Sequence, residues 1–210
     1  MTPYINAQEK KKFAVRTVAF YNVENLFDTI NDPHKFDDDR TPEGADRWTS
    51  KVYNDHVHKI AKVISEIGSD VTKHAPDIVG LAEIENEAVV RDLINTQYLK
   101  RYNYGIVHYE SPDARGVDVA LIYKKSVFKP TASFPHPLYL TKDDGKPLYT
   151  RDQLLVSGEL DGEMIHFIVN HWPSRFGGEA KSRPSREKAA ALNKKIIDSL
   201  LSKDPNAKVI

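Results

Sequence analysis

Polar residues that could do chemistry follow three apolar segments of the chain, close to the point where each segment ends. They are Asn22, Glu83 and His171, and the segments before them are 18–20, 78–82 and 165–169. Strands that are buried on both faces are nearly continuous apolar runs, so the three segments are typical of central strands. Polar side chains at strand ends can converge on one rim while the strands keep them rigid. The pattern therefore predicts one active site assembled from three strands.

The three residues suit the chemistry of phosphate groups and metal ions. The Glu83 carboxylate could bind a hard divalent cation, since Mg²⁺ takes one or two carboxylates together with water and substrate phosphate. The His171 imidazole could donate to a phosphoryl oxygen or transfer a proton near neutral pH. The Asn22 carboxamide could orient a nucleophile, a metal-bound water or a neighbouring acid. Each residue taken singly also has an ordinary explanation, as a solvated glutamate, a histidine bonded to backbone or a turn asparagine.

The turn that carries His171 contains two more polar residues that could take part. Asn170 precedes the histidine, and Arg175 follows it within the same turn. The planar guanidinium of Arg175 suits a phosphate group, although a surface arginine beside two glycines is the ordinary alternative. We therefore predict Asn170 and Arg175 as further members of the site.

Several other chemistries are excluded or unsupported by the sequence. The chain has no cysteine, which excludes disulfides, thiolate zinc sites and a cysteine nucleophile. It also lacks a Gly-x-x-x-x-Gly-Lys loop, a dinucleotide fingerprint and a Gly-x-Ser-x-Gly elbow. The remaining histidines show no zinc-ligand spacing, and we interpret them as structural. They are His34, His56, His58, His74, His108, His136 and His166.

The composition is that of one folded domain. Of the 210 residues, 40% are hydrophobic and 29% are charged, which is typical of a single large globular domain. We expect a polar lead over residues 1–12 and one domain over residues 13–210. Thirty basic and thirty acidic residues give a formal net charge of zero, so the whole chain has no bulk attraction for a polyanion. Any phosphate binding must therefore be local.

No segment of the sequence is apolar over the roughly 20 residues that a membrane span requires. The polar lead also lacks the apolar core of a signal peptide. A methionine placed directly before a polar, lysine-containing lead would fit a chain from which a signal peptide has been removed, so the expected location leans towards secreted or periplasmic. The sequence predicts no oligomeric state.

The elements around these residues alternate between strands and helices. The periodicity of the apolar residues predicts strands at 13–20, 77–82, 104–109, 117–123, 153–160, 163–169 and 207–210, and helices at 53–67, 88–98 and 185–201. Gly68 can end the first helix, and the Asp161-Gly162 pair predicts a type I′ hairpin turn. Residues 31–47 form a long acidic loop, which in a compact domain is usually functional or mobile. Hairpins and helices interspersed in this way favour an α+β domain with sheets inside and helices outside.

Four motifs in a fixed order resemble a known superfamily. They are Tyr-Asn-Val-Glu-Asn-Leu-Phe around Asn22, Ala-Glu-Ile-Glu-Asn around Glu83, Gly-Val-Asp-Val-Ala-Leu-Ile-Tyr from Gly116, and Asn-His-Trp-Pro-Ser-Arg around His171. Together they resemble the endonuclease/exonuclease/phosphatase superfamily, the DNase I-like fold, over about residues 15–210. The residues of the first two motifs most resemble those of a bacterial, often exported, nuclease-like branch. The resemblance implies a metal-dependent phosphoesterase built as a four-layered α/β sandwich.

The resemblance also implies roles for individual residues. Asn22 matches the asparagine of the first strand beside the metal, and Glu83 matches the glutamate that binds Mg²⁺ or Mn²⁺. His171 matches a histidine that contacts the scissile phosphate in some nucleases of the superfamily. Arg115 and Asp118 fall in the segment that lines the substrate side.

The chain departs from the superfamily pattern near its end. The strand at residues 207–210 would lead into a Gly-Asp-x-Asn motif, and a Ser-Asp-His motif would follow, but the sequence contains neither. In the superfamily these motifs stabilise the attack, supply the general base and contact the phosphate. We therefore expect the chain to be the N-terminal part of the domain and to be inactive alone.

Two alternatives to a nuclease stay open on the sequence. One is a small-molecule or lipid phosphoesterase, and the other is a non-catalytic module that binds a phosphorylated ligand or a protein. A basic groove beside Arg115, Arg151 and Arg175 would favour nucleic acid, since tracking its backbone needs clustered positive charge.

Overall fold

The computed structural model describes residues 14–142 and 144–210, and its strands form two four-stranded sheets and a small hairpin. The first sheet, in the order β1-β2-β4-β3, contains β1 (Val18–Leu26), β2 (Ile78–Ile84), β3 (Tyr104–His108) and β4 (Asp118–Lys124). The second, in the order β10-β9-β8-β5, contains β5 (Phe128–His136), β8 (Gln153–Leu160), β9 (Glu163–Val169) and β10 (Lys208–Val209). The hairpin pairs β6 (Leu140–Thr141) with β7 (Pro147–Leu148).

The helices of the described residues are α1 (Ser50–Glu66), the single turn α2 (Ser69–Thr72), α3 (Glu87–Ile94) and α4 (Glu179–Lys203). Short 3₁₀ turns lie at Asp38–Arg40 and Lys100–Tyr102. None of these helices combines the length and the apolar character that a membrane span requires.

The two sheets pack face to face, and helices cover both outer faces. The core between the sheets is formed by Ile78, Ala82, Val119, Leu121, Phe128, Leu154, Val156, Leu160, Phe167 and Val169. A second core, between the first sheet and the helices α1 and α3, includes Val57, Ile60, Ile64, Val79, Leu81, Ile84, Val90, Leu93, Ala120 and Ile122. On the other side, the Gln153 side chain of β8 donates to the Ala189 carbonyl of α4 at 2.8 Å. The layers helix, sheet, sheet and helix confirm the predicted α+β sandwich.

Turn and cap residues explain where the predicted elements begin and end. The Thr49 hydroxyl accepts from the Val52 amide and caps the start of α1, and Gly68 has a φ of +66° just beyond its end, as predicted. The hairpin of β8 and β9 has the predicted bounds, and Asp161 and Gly162 have φ angles of +52° and +84°. These positive angles are those of a type I′ turn.

Other boundaries differ from the prediction for identifiable reasons. β1 begins at Val18 and extends to Leu26, and the predicted strand start at Phe13 lies outside the described residues. α4 begins at Glu179 rather than Ser185. Pro184 therefore lies in the second turn of the helix, and not at the first helical position, where proline is best tolerated. The sequence did not predict β5, which contains two prolines. It lies at the edge of its sheet, where a strand tolerates proline.

A side chain at Gly158 would collide with the neighbouring edge strand. A Cβ there would lie 2.5 Å from the Lys129 carbonyl oxygen and 2.6 Å from the Phe128 ring. Phe128 is fully buried between the sheets and has no room to move away. We expect Gly158→Ala to destabilise the fold by about 1–3 kcal/mol, measured by urea unfolding followed by circular dichroism. The exposed neighbour Glu159 is the matched control, since Glu159→Ala should change stability by less than about 0.5 kcal/mol; equal midpoints for the two variants would contradict the prediction.

Candidate active site

A β-bulge places Glu83 at the end of β2. Ala82 pairs with Val119 and Ile84 pairs with Asp118, so Glu83 is an extra residue with no partner in this ladder. Its φ is +65°, a left-handed conformation that costs energy for a residue with a side chain. Bulges of this kind redirect a side chain. As a result, Glu83 leaves the helix-facing row of β2 and lines an open cavity.

The end of β1 lies beside the bulge and is also irregular. Asn22 pairs with Ala82 in the parallel ladder, and the register then shifts before Leu26. Glu24 and Asn25 have φ angles of +57° and +61°. The Asn22 Oδ1 atom accepts from the Glu24 amide at 2.8 Å and so stabilises this turn. The ladder places Asn22 next to the strand end that carries Glu83.

The second sheet brings His171 to the same place. His171 follows the end of β9, and its Nε2 atom lies 3.3 Å from the Glu83 Oε1 atom. The two side chains are 19% and 16% exposed, respectively, so both are sheltered but open to a ligand. Burial lowers the pKa of His171, Arg151 acts in the same direction, and Glu83 opposes the shift. The structure thus brings together two residues that the sequence predicted from separate strands.

Arg151 fixes the main chain at His171. Its guanidinium donates to the His171 carbonyl at 3.0 Å and to the Trp172 carbonyl at 3.1 Å. It also donates to the Asp113 Oδ2 atom at 3.0 Å, in a pair whose side chains are 9% and 5% exposed. Asp113 in turn accepts from the Arg115 amide at 3.0 Å. One buried ion pair therefore connects the turn of His171 to the loop of Arg115.

Glu83 and His171 open onto a cavity of about 700 Å³. Its positively charged lining residues are Arg115, Lys142, Arg151 and Lys181, and its negatively charged ones are Glu83 and Asp113. The aromatic residues Tyr149 and Phe176 also line it, with exposures of 60% and 88%. The chain as a whole is neutral, so the cavity is a local basic region of the kind that binds phosphate.

Four residues predicted for the site do not line this cavity: Asn22, whose position at the end of β1 is given above, and Asn170, Arg175 and Asp118. Asn170 lines a separate groove of about 410 Å³, and its Nδ2 atom donates to the Ile168 carbonyl. Arg175 has a side chain that is 80% exposed and pairs with Glu179 at 3.2 Å. Asp118 is only 1% exposed and accepts from the Ser111 amide at 3.0 Å. Asn170, Arg175 and Asp118 thus lie outside the lining of the cavity beside Glu83.

Several cavity residues were not predicted as site residues, and Arg151 was named only as a possible member of a basic groove. Asp113 and Arg151 are separated by 38 positions, and neither follows an apolar strand as the predicted site residues do. Lys142 lies in the turn between β6 and β7, and Tyr149 follows β7. This short hairpin has no apolar periodicity to reveal it. The one available signal was the turn-rich segment 111–116, between the predicted strands at 104–109 and 117–123.

The donor atoms near Glu83 fit a hard divalent cation. Among the described residues, the Glu83 carboxylate has a polar partner only in His171, so its oxygens are accessible from the cavity. Mg²⁺ and similar ions are commonly bound by one or two carboxylates, with water and substrate completing the shell. Asn22 lies beside Glu83 and offers a carbonyl oxygen, although that oxygen already accepts from Glu24. Glu83 is the residue best placed to bind such an ion.

Asp152, next to Arg151, makes stability depend on pH. Its Oδ1 atom is buried and bonds to no described residue, and burial, followed by the charge of Asp118, raises its pKa from 3.8 to about 6. A raised pKa means that the folded state binds the proton of Asp152 more tightly than the unfolded state does. The stability gained from this proton is complete below about pH 4 and is lost as the pH rises through 6. We expect Asp152→Asn to raise the melting temperature at about pH 7.5 but not at about pH 4, measured by thermal unfolding in EDTA. An equal gain at both values would contradict the assignment.

Solved structures of low sequence identity share the fold. The mannosyl-6-phosphatase of Bacteroides thetaiotaomicron has a TM-score of 0.55 and 16% identity, with 93% of this chain and 63% of that chain covered. TDP2 from Caenorhabditis elegans has a TM-score of 0.53 and 15% identity, with coverage of 77% and 42%. An endonuclease/exonuclease/phosphatase family protein from Bacteroides thetaiotaomicron has a TM-score of 0.52 and 16% identity, with coverage of 89% and 57%. The chain thus spans between 42% and 63% of the length of these three structures.

Sequence comparison gives a more direct result. No curated protein sequence matches the chain. A family profile described as the endonuclease/exonuclease/phosphatase family matches residues 17–210. That match includes both sheets, the bulge at Glu83 and the turn at His171, and the chain therefore belongs to the endonuclease/exonuclease/phosphatase family.

Proposed function

We propose that the protein is a metal-dependent phosphoesterase and that its substrates are phosphodiesters of nucleic acid. The observation that carries the proposal is the pairing of Glu83 and His171, 3.3 Å apart, at the mouth of a locally basic cavity. A carboxylate that can bind a metal and an imidazole that can donate to a phosphoryl oxygen are complementary parts of a site for phosphate esters. We also propose that the protein belongs to the bacterial, exported, nuclease-like branch and acts outside the cytoplasm.

Mg²⁺ or Mn²⁺ is the proposed cofactor, with Glu83 as its ligand and Asn22 as the neighbour that orders the site. Such an ion supplies neutralisation of charge on phosphoryl oxygens and on the leaving group. The bulge at Glu83 supports this role, because it aims the carboxylate into the cavity while β2 keeps its backbone rigid.

The protein side chains bind and orient the phosphate. His171 is the proposed hydrogen-bond donor to a phosphoryl oxygen, and Arg151 fixes its backbone position through the carbonyl group. Arg115 lines the cavity with a side chain that is 48% exposed and lies 3.5 Å from Asp113. A guanidinium that is oriented by one carboxylate and open to solvent is suited to bidentate hydrogen bonding with a phosphate.

Arg115→Met is expected to raise the KM for a phosphate-ester substrate by about tenfold to a hundredfold, because a charge-assisted contact is lost. Steady-state kinetics of the full-length protein measures the effect. Arg183→Met is the matched control, since Arg183 lies on α4, is 69% exposed and, among the residues that the structure describes, pairs only with Glu187. A KM that changes equally in both variants would show that Arg115 acts through bulk charge.

Two features of the cavity bear on the class of substrate. Tyr149 and Phe176 are exposed aromatic side chains beside the cationic residues, and bases of single-stranded nucleic acid stack on such side chains. Of the three arginines that could form a basic groove, Arg115 is directed to the cavity, Arg151 is buried in its ion pair and Arg175 pairs with Glu179. The short basic surface therefore favours a few nucleotides over a long duplex.

A phosphomonoesterase acting on small molecules is the second candidate. A concave cavity of about 700 Å³ has the size of a small-molecule site, and one neighbour of the same fold is named a mannosyl-6-phosphatase. Hydrolysis of a single-stranded oligonucleotide and of p-nitrophenyl phosphate, each with Mg²⁺ and with EDTA, separates the candidates. We expect Mg²⁺-dependent cleavage of the oligonucleotide. Activity that survives EDTA, Glu83→Ala or His171→Ala would contradict the proposed site.

A further inference from the structure

A second group of metal-binding side chains lies outside the candidate active site. It consists of His108 at the end of β3, Glu110 in the following loop and Asp118 at the start of β4. One donor atom from each residue can be chosen so that all three atoms lie within 4.8 Å of one another. From the sequence, His108 was interpreted as structural and Asp118 as a residue of the substrate side. The structure instead places the two residues together, away from the lining of the cavity.

The spacing of the two buried members suits a metal ion better than a strong hydrogen bond. The His108 Nε2 atom and the Asp118 Oδ2 atom are 3.3 Å apart, and the side chains are 4% and 1% exposed. A charge-assisted hydrogen bond between such groups is usually about 2.7–2.9 Å long. Two ligands of a tetrahedral Zn²⁺, each about 2.0–2.2 Å from the ion, lie about 3.3–3.5 Å apart. The two side chains are within hydrogen-bonding distance, and their separation is longer than a usual charge-assisted bond and matches that of neighbouring zinc ligands.

The surroundings of the pair orient it as a ligand pair. The Asp118 Oδ1 atom accepts from the Ser111 amide at 3.0 Å and from the Ser111 hydroxyl, which leaves the Oδ2 atom facing His108. Metal-binding carboxylates are commonly oriented in this way by hydrogen bonds to their other oxygen. Glu110 is exposed and makes neither a hydrogen bond nor an ion pair with any described residue. Its carboxylate is free to turn towards the pair.

We propose that His108, Glu110 and Asp118 form a binding site for a divalent transition metal of the zinc class, with water as a fourth ligand. One imidazole and two carboxylates are a donor set that binds Zn²⁺ well, and three protein ligands plus water complete a tetrahedron. This site is separate from the proposed cation site at Glu83 and does not depend on it.

The proposed ion would close the base of the loop that serves the cavity. His108 and Asp118 lie at the two ends of the segment 109–117, and the middle of this segment carries Asp113 and Arg115, which line the cavity. A metal that joins the two ends restricts the loop without touching the substrate. Its role would be structural, in positioning Arg115.

Zinc binding by the full-length protein tests the proposal, with Glu83→Ala as the starting variant so that the other cation site is removed. Equilibrium dialysis against Zn²⁺ followed by mass spectrometry of the metal is expected to find one bound equivalent. Adding Glu110→Gln, a change at an exposed side chain that should leave folding intact, is expected to weaken Zn²⁺ binding by at least about tenfold. With Co²⁺ as the probe, the starting variant should show the strong visible absorption of a four-coordinate ion.

Two further variants make the outcome decisive. Glu159→Gln, at an exposed glutamate of β8, is the matched control and should bind Zn²⁺ as the starting variant does. His108→Gln should lose binding as Glu110→Gln does, while circular dichroism confirms that both remain folded. Absence of bound Zn²⁺ in the starting variant, unchanged affinity in Glu110→Gln, or equal loss in Glu159→Gln would overturn the proposal.

Discussion

Glu83→Gln is expected to lower the rate of phosphate-ester hydrolysis by about a thousandfold. Glutamine keeps the shape of the side chain but removes the negative charge that would bind Mg²⁺ or Mn²⁺, and metal stabilisation of a phosphoryl transition state is worth several kcal/mol. The effect should be specific to Glu83, because the only other described carboxylate that lines the cavity is that of Asp113. Asp113 is already paired with Arg151. Single-turnover hydrolysis of an oligonucleotide by the full-length protein, measured over a range of Mg²⁺ concentrations, gives both the rate and the apparent metal affinity.

The matched control for this change lies on the next element of the chain. Glu87 is in the first turn of α3, has a side chain that is 50% exposed and pairs with Arg91. Glu87→Gln should leave the rate and the Mg²⁺ dependence unchanged. If Glu83→Gln retained most of the activity, or if high Mg²⁺ concentrations restored it fully, Glu83 would not be the essential ligand.

The parts of the fold that the sequence predicted well are those determined by neighbours along the chain. The hairpin of residues 153–169 was predicted with its observed bounds, because alternating apolar residues and the Asp161-Gly162 turn act locally. α1 was predicted from its apolar stripe and from Gly68 for the same reason. β2 was recognised as a buried strand because residues 78–82 are apolar without interruption, and each of them except Gly80 belongs to one of the two cores.

The parts that the sequence did not reveal depend on contacts between distant segments. The bulge at Glu83 follows from the pairing of β2 with β4, and no local sequence pattern predicts it. The ion pair of Asp113 and Arg151 joins the loop between β3 and β4 of the first sheet to the segment just before β8 of the second sheet. The convergence of Glu83 and His171 was predicted only because both follow buried strands. The exclusion of Asn170 and Arg175 from the cavity depends on which way the turn faces, and residue types do not specify that direction.

Arg151→Met is expected to destabilise the fold by about 3–5 kcal/mol, because it removes the buried partner of the Asp113 carboxylate and leaves that charge only the half-exposed Arg115. The methionine would keep much of the buried volume, but the Asp113 carboxylate would keep only its contacts with Arg115, and the carbonyls of His171 and Trp172 would lose their bonds to Arg151. For a domain of this size the loss corresponds to a fall in melting temperature of about 6–20 °C. Urea unfolding and thermal unfolding followed by circular dichroism measure the effect. Activity should fall as well at temperatures where the variant is still folded, because the backbone at His171 is no longer fixed.

A double-mutant cycle distinguishes stabilisation by the ion pair from stabilisation by packing of the Arg151 side chain. Asp113→Asn removes the buried charge, so Arg151→Met combined with Asp113→Asn should be more stable than the sum of the two single changes predicts, by about 1–3 kcal/mol. Arg151→Lys should recover only part of the stability, because a single ammonium cannot reach the carboxylate and both carbonyls with the fork geometry of a guanidinium. Strict additivity in the cycle would mean that the two side chains do not stabilise each other, and the connection between the loop of Arg115 and the turn of His171 would then have to depend on backbone packing alone.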